Sequence, residues 1–125
     1  MDDLISLFKA LSDRNRLRVI AALSAYNELC ACQITELLKI TGATASRHMG
    51  VLIAAGLVTS RKEGRWVHYR LSRKPSLRSP VVKWLKRELA DDPRIQADRK
   101  QIERIAACDR EELCRQQRGA ACCGK

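Results

Sequence analysis

The sequence is poor in aromatic residues, proline and histidine, and it has no long apolar run. Aromatic side chains make up 4% of its 125 residues, and it contains 3 prolines and 2 histidines. No apolar run approaches the ~20 residues of a membrane-spanning helix, so we expect no membrane partner. The start, Met1-Asp2-Asp3, lacks the basic and apolar segments of a signal peptide. We therefore expect a cytoplasmic protein whose cysteines are reduced.

Acidic residues are too few to balance the basic ones. The chain has 24 Lys and Arg against 14 Asp and Glu, which gives a net charge of +10. Most of the excess lies in residues 39–74, with a net charge of +7, whereas residues 1–38 carry −1 and residues 75–125 carry +4. A concentrated basic segment indicates a surface that binds a polyanion, although charge alone does not separate nucleic acid from an acidic membrane.

Apolar spacing predicts four helices in the first half of the chain. They cover residues from about 4 to 11, 14 to 26, 32 to 39 and 43 to 55, with Ser12-Asp13 as a break and candidate N-cap and Thr41-Gly42 as a turn. In the fourth helix, an apolar stripe is formed by Ala45, Met49, Leu52 and Ile53. A short helix, a turn with Gly and a second helix with a polar outer face make a helix-turn-helix.

The polar face of the fourth helix has the residue types that read DNA. Thr44, Arg47 and His48 lie opposite the apolar stripe, and Ser46 is near the helix start. Arg and His can reach base edges in a major groove, while Thr and Ser can contact phosphates. We expect these four side chains to contact DNA.

Two strands follow this helix. Residues 57–62 and 65–71 flank the dipeptide Glu63-Gly64, which is typical of a hairpin turn. Arg61, Lys62 and Arg65 cluster at the predicted tip, so the hairpin is a wing suited to phosphates or the minor groove. His68 is expected on the surface of the second strand.

The second half of the chain is helical again after a linker at residues 75–80. A helix is predicted from Val81, and Asp92-Pro93 is typical of an N-cap followed by the first residue of another helix. Beyond Cys108 the chain is charged and poor in apolar residues, so we expect a mobile tail. The prediction is a mostly α fold with a small β-wing, divided into residues 1–90, the winged helix-turn-helix, and residues 91–125, a helical extension and tail.

Several ordered segments of this chain resemble the ArsR (ArsR/SmtB) family of bacterial winged-helix metalloregulatory repressors. They are residues 11–18 (LSDRNRLR), 28–32 (ELCAC), 45–49 (ASRHM), 55–58 (AGLV) and 63–71 (EGRWVHYRL). The resemblance covers roughly residues 4–90. It implies a homodimer built mainly through the first and last helices, bound to a pseudo-palindromic double-stranded operator and released by a toxic metal or metalloid. It also assigns Thr44, Ser46, Arg47 and His48 to DNA recognition and Arg61, Lys62 and Arg65 to the wing.

The pair Cys30 and Cys32 is the candidate sensor. Its Glu-Leu-Cys-x-Cys context resembles the thiolate site of the arsenic- and cadmium-sensing branches of the family. The N–H groups of a helix start favour thiolates. Residues i and i+2 do not share a helix face, so both sulfurs reach one ion only if Cys30 lies outside the first turn or that turn unwinds. Binding would then distort the first helix of the helix-turn-helix and favour a conformer that leaves DNA.

A third thiolate is missing from this segment. In one arsenic-sensing group of the family a cysteine stands three residues after the pair, and here that residue is Thr35. Trivalent arsenic or antimony prefers three thiolates in a pyramid. The candidates for the third ligand are Cys108, Cys114, Cys122 and Cys123. We favour the last two, because they lie on the segment expected to be most flexible.

Other inducers and functions fit the sequence less well. Zinc and nickel sites of the family use histidines of the dimerisation helix, and no histidine follows His68; cadmium or lead would need cysteines before Cys30, and there are none. We therefore expect As(III) or Sb(III) as inducer and no cofactor. The alternatives are a repressor switched by thiol oxidation or persulfide chemistry, and a thiol-dependent oxidoreductase, which lacks both a Cys-x-x-Cys spacing and a Gly-rich cofactor loop.

Overall fold

A computed structural model describes residues 1–73 and 78–107, except for the side chains of residues 78 and 79. Within these residues the chain forms helices and a small antiparallel sheet. The helices are α1 (Asp2–Leu11), α2 (Arg14–Ala25), α3 (Ala31–Leu38), α4 (Gly42–Ala54), α5 (Arg78–Leu89) and α6 (Pro93–Ala107). The strands are β1 (Leu29–Cys30), β2 (Val58–Glu63) and β3 (Trp66–Leu71). The expected mobile tail from Cys108 onward lies outside the described residues.

Side-chain caps fix the starts of two predicted helices. The Asp13 carboxylate accepts from the N–H of Arg16 at 3.1 Å and begins α2. The Asp92 carboxylate accepts from the N–H of Arg94 at 2.8 Å, and Pro93 takes the first helical position of α6. Both caps confirm the sequence prediction.

The start and the inner face of α4 differ in detail from the prediction. Thr41 is the N-cap, since its hydroxyl accepts from the N–H of Thr44 at 3.1 Å, and Gly42 is the first helical residue rather than part of a turn. Ile53 is 38% exposed and does not join the buried stripe. The inner face consists of the buried residues Ala45, Met49 and Leu52.

The sheet has the order β1-β3-β2. Strand β1 was not predicted, because two residues are too short to show an alternating pattern; it pairs Cys30 with His68 of β3. The β2–β3 hairpin closes with Glu63 opposite Trp66, so its two-residue turn is Gly64-Arg65 rather than Glu63-Gly64. Gly64 has a φ of +60°, the left-handed conformation that the first position of such a turn requires.

The core lies between α2, α3, α4 and the sheet, and α6 closes it from another side. Ile95, Ile102 and Ile105 of α6 are buried, and α6 contacts both α2 and α3. Helix α5 begins at Arg78, so the predicted linker 75–80 is shorter than expected, and Pro80 sits in the first helical turn, where proline is tolerated. The division at residue 90 falls in the turn between α5 and α6 and stays a prediction.

No helix in the described part of the chain is long and apolar enough to cross a membrane.

Candidate nucleic-acid interface and thiol site

The outer face of α4 carries polar side chains, and the inner face of the helix is buried. Ser46 and Arg47 are exposed, and Thr44 is half-buried. The Thr41 hydroxyl donates to the Thr44 hydroxyl at 2.9 Å, so Thr44 keeps its own proton for an acceptor outside the chain.

His48, the fourth predicted contact on this helix, is half-buried and has a partner within the chain. Its Nδ1 lies 3.1 Å from Nη1 of Arg16 in α2. This contact cannot be predicted from a local sequence pattern, since the two residues are 32 positions apart. Sequence reasoning missed Arg16 for the same reason.

The tip of the wing carries Arg65 and Lys62, both exposed. The Arg65 guanidinium carbon lies 5.1 Å from the centroid of the Trp66 ring, a cation–π arrangement that holds the side chain at the turn. Lys62 is next to the turn on the opposite face of β2 from Arg61, because side chains alternate along a strand. Contact of these two cations with phosphates stays a prediction.

Arg61 occupies a different position from the other wing cations. It lies within β2, opposite His68, and its guanidinium pairs with Glu28 through Nη2–Oε1 at 2.7 Å and Nε–Oε2 at 3.2 Å. Nη1 also lies 3.3 Å from Glu63. The hydrogen bond from Arg61, with the nearby positive charges, outweighs desolvation and lowers the pKa of Glu28 below its ordinary value of 4.5. Contact of Arg61 with DNA stays a prediction, and it would compete with this ion pair.

The expectation that His68 lies on the strand surface is wrong. Its side chain is 5% exposed, with Nδ1 3.8 Å from Glu28 and Nε2 3.8 Å from Glu63. The reason is β1, which pairs with β3 at this residue and covers it. Glu28, His68 and Arg61 therefore form a polar cluster that joins the segment before Cys30 to the wing, and sequence alternation could not reveal it without the β1–β3 pairing.

Cys30 and Cys32 lie where the sheet meets α3. Cys30 is the last residue of β1 and the N-cap of α3, with extended dihedral angles (φ −84°, ψ 164°), so it lies outside the first turn. Its N–H donates to the side-chain oxygen of Gln33 at 2.9 Å. Cys32 is inside the first turn, and the two side chains are 1% and 0% exposed. The position of Cys30 meets the condition for both sulfurs to serve one ion, and their burial means that an ion enters only if this junction opens.

The residue at the position of the missing third cysteine is engaged elsewhere. Thr35 is buried, and its hydroxyl donates to the carbonyl oxygen of Ala31 at 2.8 Å. In the described ranges, no group of three or more His, Cys, Asp or Glu could hold a metal ion. The four candidates for the third thiolate all lie outside the described residues.

The other end of α3 is tied to α6 by a buried ion pair that the sequence did not predict. Arg18 donates to both carboxylate oxygens of Asp98, at 2.8 and 3.0 Å, and the two side chains are 12% and 7% exposed. Nη2 of Arg18 also donates to the carbonyl oxygen of Leu37, at 3.1 Å, in the last turn of α3. The charge pattern gives no signal for this pair, because 80 residues separate its members.

Known proteins similar to this chain are bacterial regulators. The family model described as "Bacterial regulatory protein, arsR family" matches residues 13–60, from the N-cap of α2 into β2. An arsenical resistance operon repressor of Escherichia coli (strain K12) is 46% identical over 68 residues, which cover 54% of this chain and 58% of the relative. A cadmium resistance transcriptional regulatory protein CadC homolog of Staphylococcus aureus is 41% identical over 69 residues, which cover 55% and 57%. The chain thus spans little more than half the length of these curated relatives.

A solved structure extends the likeness over most of the fold. An ArsR-like transcriptional regulator from Rhodococcus sp. RHA1 aligns with a TM-score of 0.55 and 30% identity, covering 82% of this chain and 92% of that one. The predictions of a winged-helix fold, and of a regulator rather than an enzyme, are confirmed by these likenesses. The chain belongs to the ArsR family of bacterial regulatory proteins.

Proposed function

We propose that this chain is a homodimeric transcriptional repressor that binds double-stranded operator DNA and leaves it when As(III) or Sb(III) binds cysteine thiolates. The observation that carries the proposal is the placement of Cys30 and Cys32 at the junction of β1 and α3. This junction touches both parts of the DNA-binding unit, since β1 pairs with the wing and α3 packs on α4.

The DNA surface consists of the outer face of α4 and the tip of the wing. Arg47 and Ser46 are exposed on the helix, Lys62 and Arg65 at the tip. These residues lie in the segment 39–74 with a net charge of +7, which favours a polyanion. A helix for the groove and a basic hairpin beside it suit DNA better than a membrane surface.

The inducer site begins with two soft ligands and needs a third. Thiolates select soft ions, and no group of three or more His, Cys, Asp or Glu in the described residues could hold a metal ion. Among the four candidate cysteines, Cys108 follows directly after Ala107, the last residue of α6, and α6 packs on α3. We therefore place Cys108 ahead of Cys122 and Cys123 as third ligand, in a change from the order that the sequence favoured, with Cys114 the remaining candidate.

Release follows from the burial of the pair. Because Cys30 and Cys32 are 1% and 0% exposed, a pyramidal three-thiolate complex cannot form without moving the start of α3. That movement displaces both β1 and α4. A ligand bound only by the opened conformer shifts the population away from the conformer that fits DNA.

Two helices support a homodimer. Leu4, Ile5 and Phe8 of α1 are 50%, 45% and 64% exposed, and Trp84 of α5 is 51% exposed. Large apolar side chains grouped on one helix are costly in water and are typical of an interface. The family resemblance assigns dimerisation to these terminal helices.

The test is DNA release by arsenite, measured by fluorescence anisotropy on a duplex that the protein selects from a randomised pool. The reductant is a phosphine, because a dithiol would bind arsenite itself. Arsenite should release the DNA from the wild type but not from Cys30→Ser or Cys32→Ser, while the serine variants keep their affinity in its absence. Serine replacements of the four distal cysteines, one at a time and beginning with Cys108, identify the third ligand and serve as matched controls. Release by cadmium and not by arsenite contradicts the proposed inducer.

Thiol oxidation is a second candidate for the signal. Cys32 is disulfide-bonded, against the expectation of reduced cysteines, so its sulfur can take part in redox chemistry. In that case peroxide or polysulfide releases the DNA, a reductant restores binding, and arsenite has no effect on the reduced protein.

A further inference from the structure

The Arg16 guanidinium joins the end of α1 to the outer helix α4. Its Nε donates to the carbonyl oxygen of Ala10 at 2.7 Å, and Nη2 donates to that of Lys9 at 3.2 Å. Its third nitrogen, Nη1, lies 3.1 Å from Nδ1 of His48. The group cannot turn away from His48 without removing its hydrogen bond to the Ala10 carbonyl, whereas the Lys9 carbonyl also accepts from the N–H and the hydroxyl of Ser12.

This contact selects one form of the His48 ring. A guanidinium only donates hydrogen bonds, so Nδ1 must accept with its lone pair, and the proton of the neutral ring must sit on Nε2. A doubly protonated ring would turn an N–H towards the N–H of Arg16. Asp13 is close enough to interact with a charge on His48, but it accepts the backbone N–H of Arg16 instead.

The other ring nitrogen faces away from this contact. The two nitrogens of an imidazole point to opposite sides of the ring, so Nε2–H points away from Arg16. No hydrogen bond to Nε2 of His48 is formed by any residue that the structure describes. His48 follows Thr44 by one turn and is adjacent to Arg47, on the face that carries the proposed DNA contacts.

We propose that Arg16 is a positioning residue for DNA recognition, which holds His48 as the Nε2–H tautomer so that the ring donates to a hydrogen-bond acceptor of the DNA. The inference rests on the proposed DNA-binding face of α4. Arg16 itself is half-buried, and in this proposal it makes no contact with DNA. The acceptor is either a purine N7 in the major groove or a phosphate oxygen, which share the same requirement for a donor.

The first test needs no DNA. Nitrogen-15 spectra of the histidine rings, at about pH 8 and thus above the ordinary histidine pKa of ~6.5, report which nitrogen carries the proton. The chain has two histidines, and His48→Gln assigns the signals. We expect His48 to show a protonated Nε2 and an unprotonated Nδ1. A proton on Nδ1, or a ring averaged between both tautomers, overturns the proposal while leaving DNA binding by α4 intact.

The second test measures affinity for the selected duplex at constant salt. Arg16→Gln should lose about fivefold, the value of one hydrogen bond, and should average the His48 tautomers. Arg16→Lys, which still donates to Nδ1, should recover part of both. Arg14→Gln is the matched control, because Arg14 is exposed on the same helix and its loss removes the same charge.

A double variant separates positioning from charge and from folding. In a His48→Gln background, Arg16→Gln should lower the affinity no further than Arg14→Gln does. An undiminished loss means that Arg16 acts independently of His48 and overturns the proposal.

Modified duplexes identify the acceptor on the DNA. The affinities of the wild type and of His48→Gln should each be measured on duplexes with 7-deazapurines and on duplexes with methylphosphonate linkages. The substitution that weakens only the wild type identifies the acceptor, and the absence of any such position contradicts the proposed donor. If changes at Arg47 and Ser46 also leave affinity unchanged, the assignment of α4 fails as a whole.

Discussion

Two arginine–carboxylate pairs attach neighbouring elements to the two ends of α3, and they differ chiefly in burial. Arg18 and Asp98 connect α6 to the last turn of α3, with side chains 12% and 7% exposed. Arg61 and Glu28 connect the wing to the segment before Cys30, with side chains 48% and 27% exposed. Removing one member of a buried pair leaves an uncompensated charge, whereas water replaces the partner in an exposed pair. The buried pair thus holds its end of α3 more firmly than the exposed pair holds the end that carries the cysteines.

The largest effect is expected on the free energy of unfolding, when the carboxylate of the buried pair is removed. Asp98→Asn should lower the free energy of unfolding by about 3 kcal/mol, because it leaves Arg18 buried beside a neutral amide. Urea denaturation followed by circular dichroism measures the change. Arg94→Gln is the control, since Arg94 is 3.3 Å from Asp98 but 55% exposed, and its effect should stay below about 1 kcal/mol. Equal effects of Asp98→Asn and Arg94→Gln would mean that the buried pair contributes no more to stability than an exposed contact does.

The exposed pair should affect DNA affinity more visibly than stability. If Arg61 serves mainly to hold Glu28, then Glu28→Gln and Arg61→Gln both loosen the wing and both weaken binding, by about threefold as expected for a surface pair. If Arg61 contacts phosphate instead, the two substitutions have opposite signs, because loss of Glu28 frees the guanidinium for DNA. Anisotropy titrations at one salt concentration distinguish the two outcomes, with Lys62→Gln as a matched loss of charge on the same strand.

Features of the fold that depend on neighbouring residues could be predicted from the sequence. Helix periodicity, the Asp13 and Asp92 caps and the hairpin depend on residues close together in the chain, so local patterns predict them. Both sulfurs can reach one ion only if Cys30 lies outside the first helical turn or that turn unwinds, and Cys30 does lie outside it.

The contacts that define the site join distant residues, and a local pattern cannot encode them. Arg16 with His48 spans 32 positions, and Arg61 with Glu28 spans 33. They depend on the crossing of α2 with α4 and on the pairing of β1 with β3. Strand β1 is too short to be recognised, and without it His68 was placed on the surface and Arg61 was grouped with the cations of the wing tip.

The smallest effect is expected in the pH dependence of the stability that the Arg61–Glu28 pair contributes. The hydrogen bond from Arg61, with nearby positive charges, lowers the pKa of Glu28 in the folded chain below its ordinary value of 4.5. The stabilisation is therefore fully present above that value and is lost as the pH falls through the lowered pKa. Urea denaturation at a series of pH values should show wild type slightly more stable than Glu28→Gln near neutrality, with a difference that declines as the pH falls below 4.5.

Two further variants test whether this pH dependence of stability comes from the Arg61–Glu28 pair. Glu103→Gln changes an exposed carboxylate of α6 and should give no comparable difference. In an Arg61→Gln background the effect of Glu28→Gln on the pH profile should disappear, because the hydrogen bond that lowers the pKa is already absent. A stability difference that grows as the pH falls would mean that the pKa of Glu28 is raised on folding. The cysteine end of α3 would then not be held by this ion pair near neutral pH, and the contrast between the two ends would have to rest on the Cys30 junction alone.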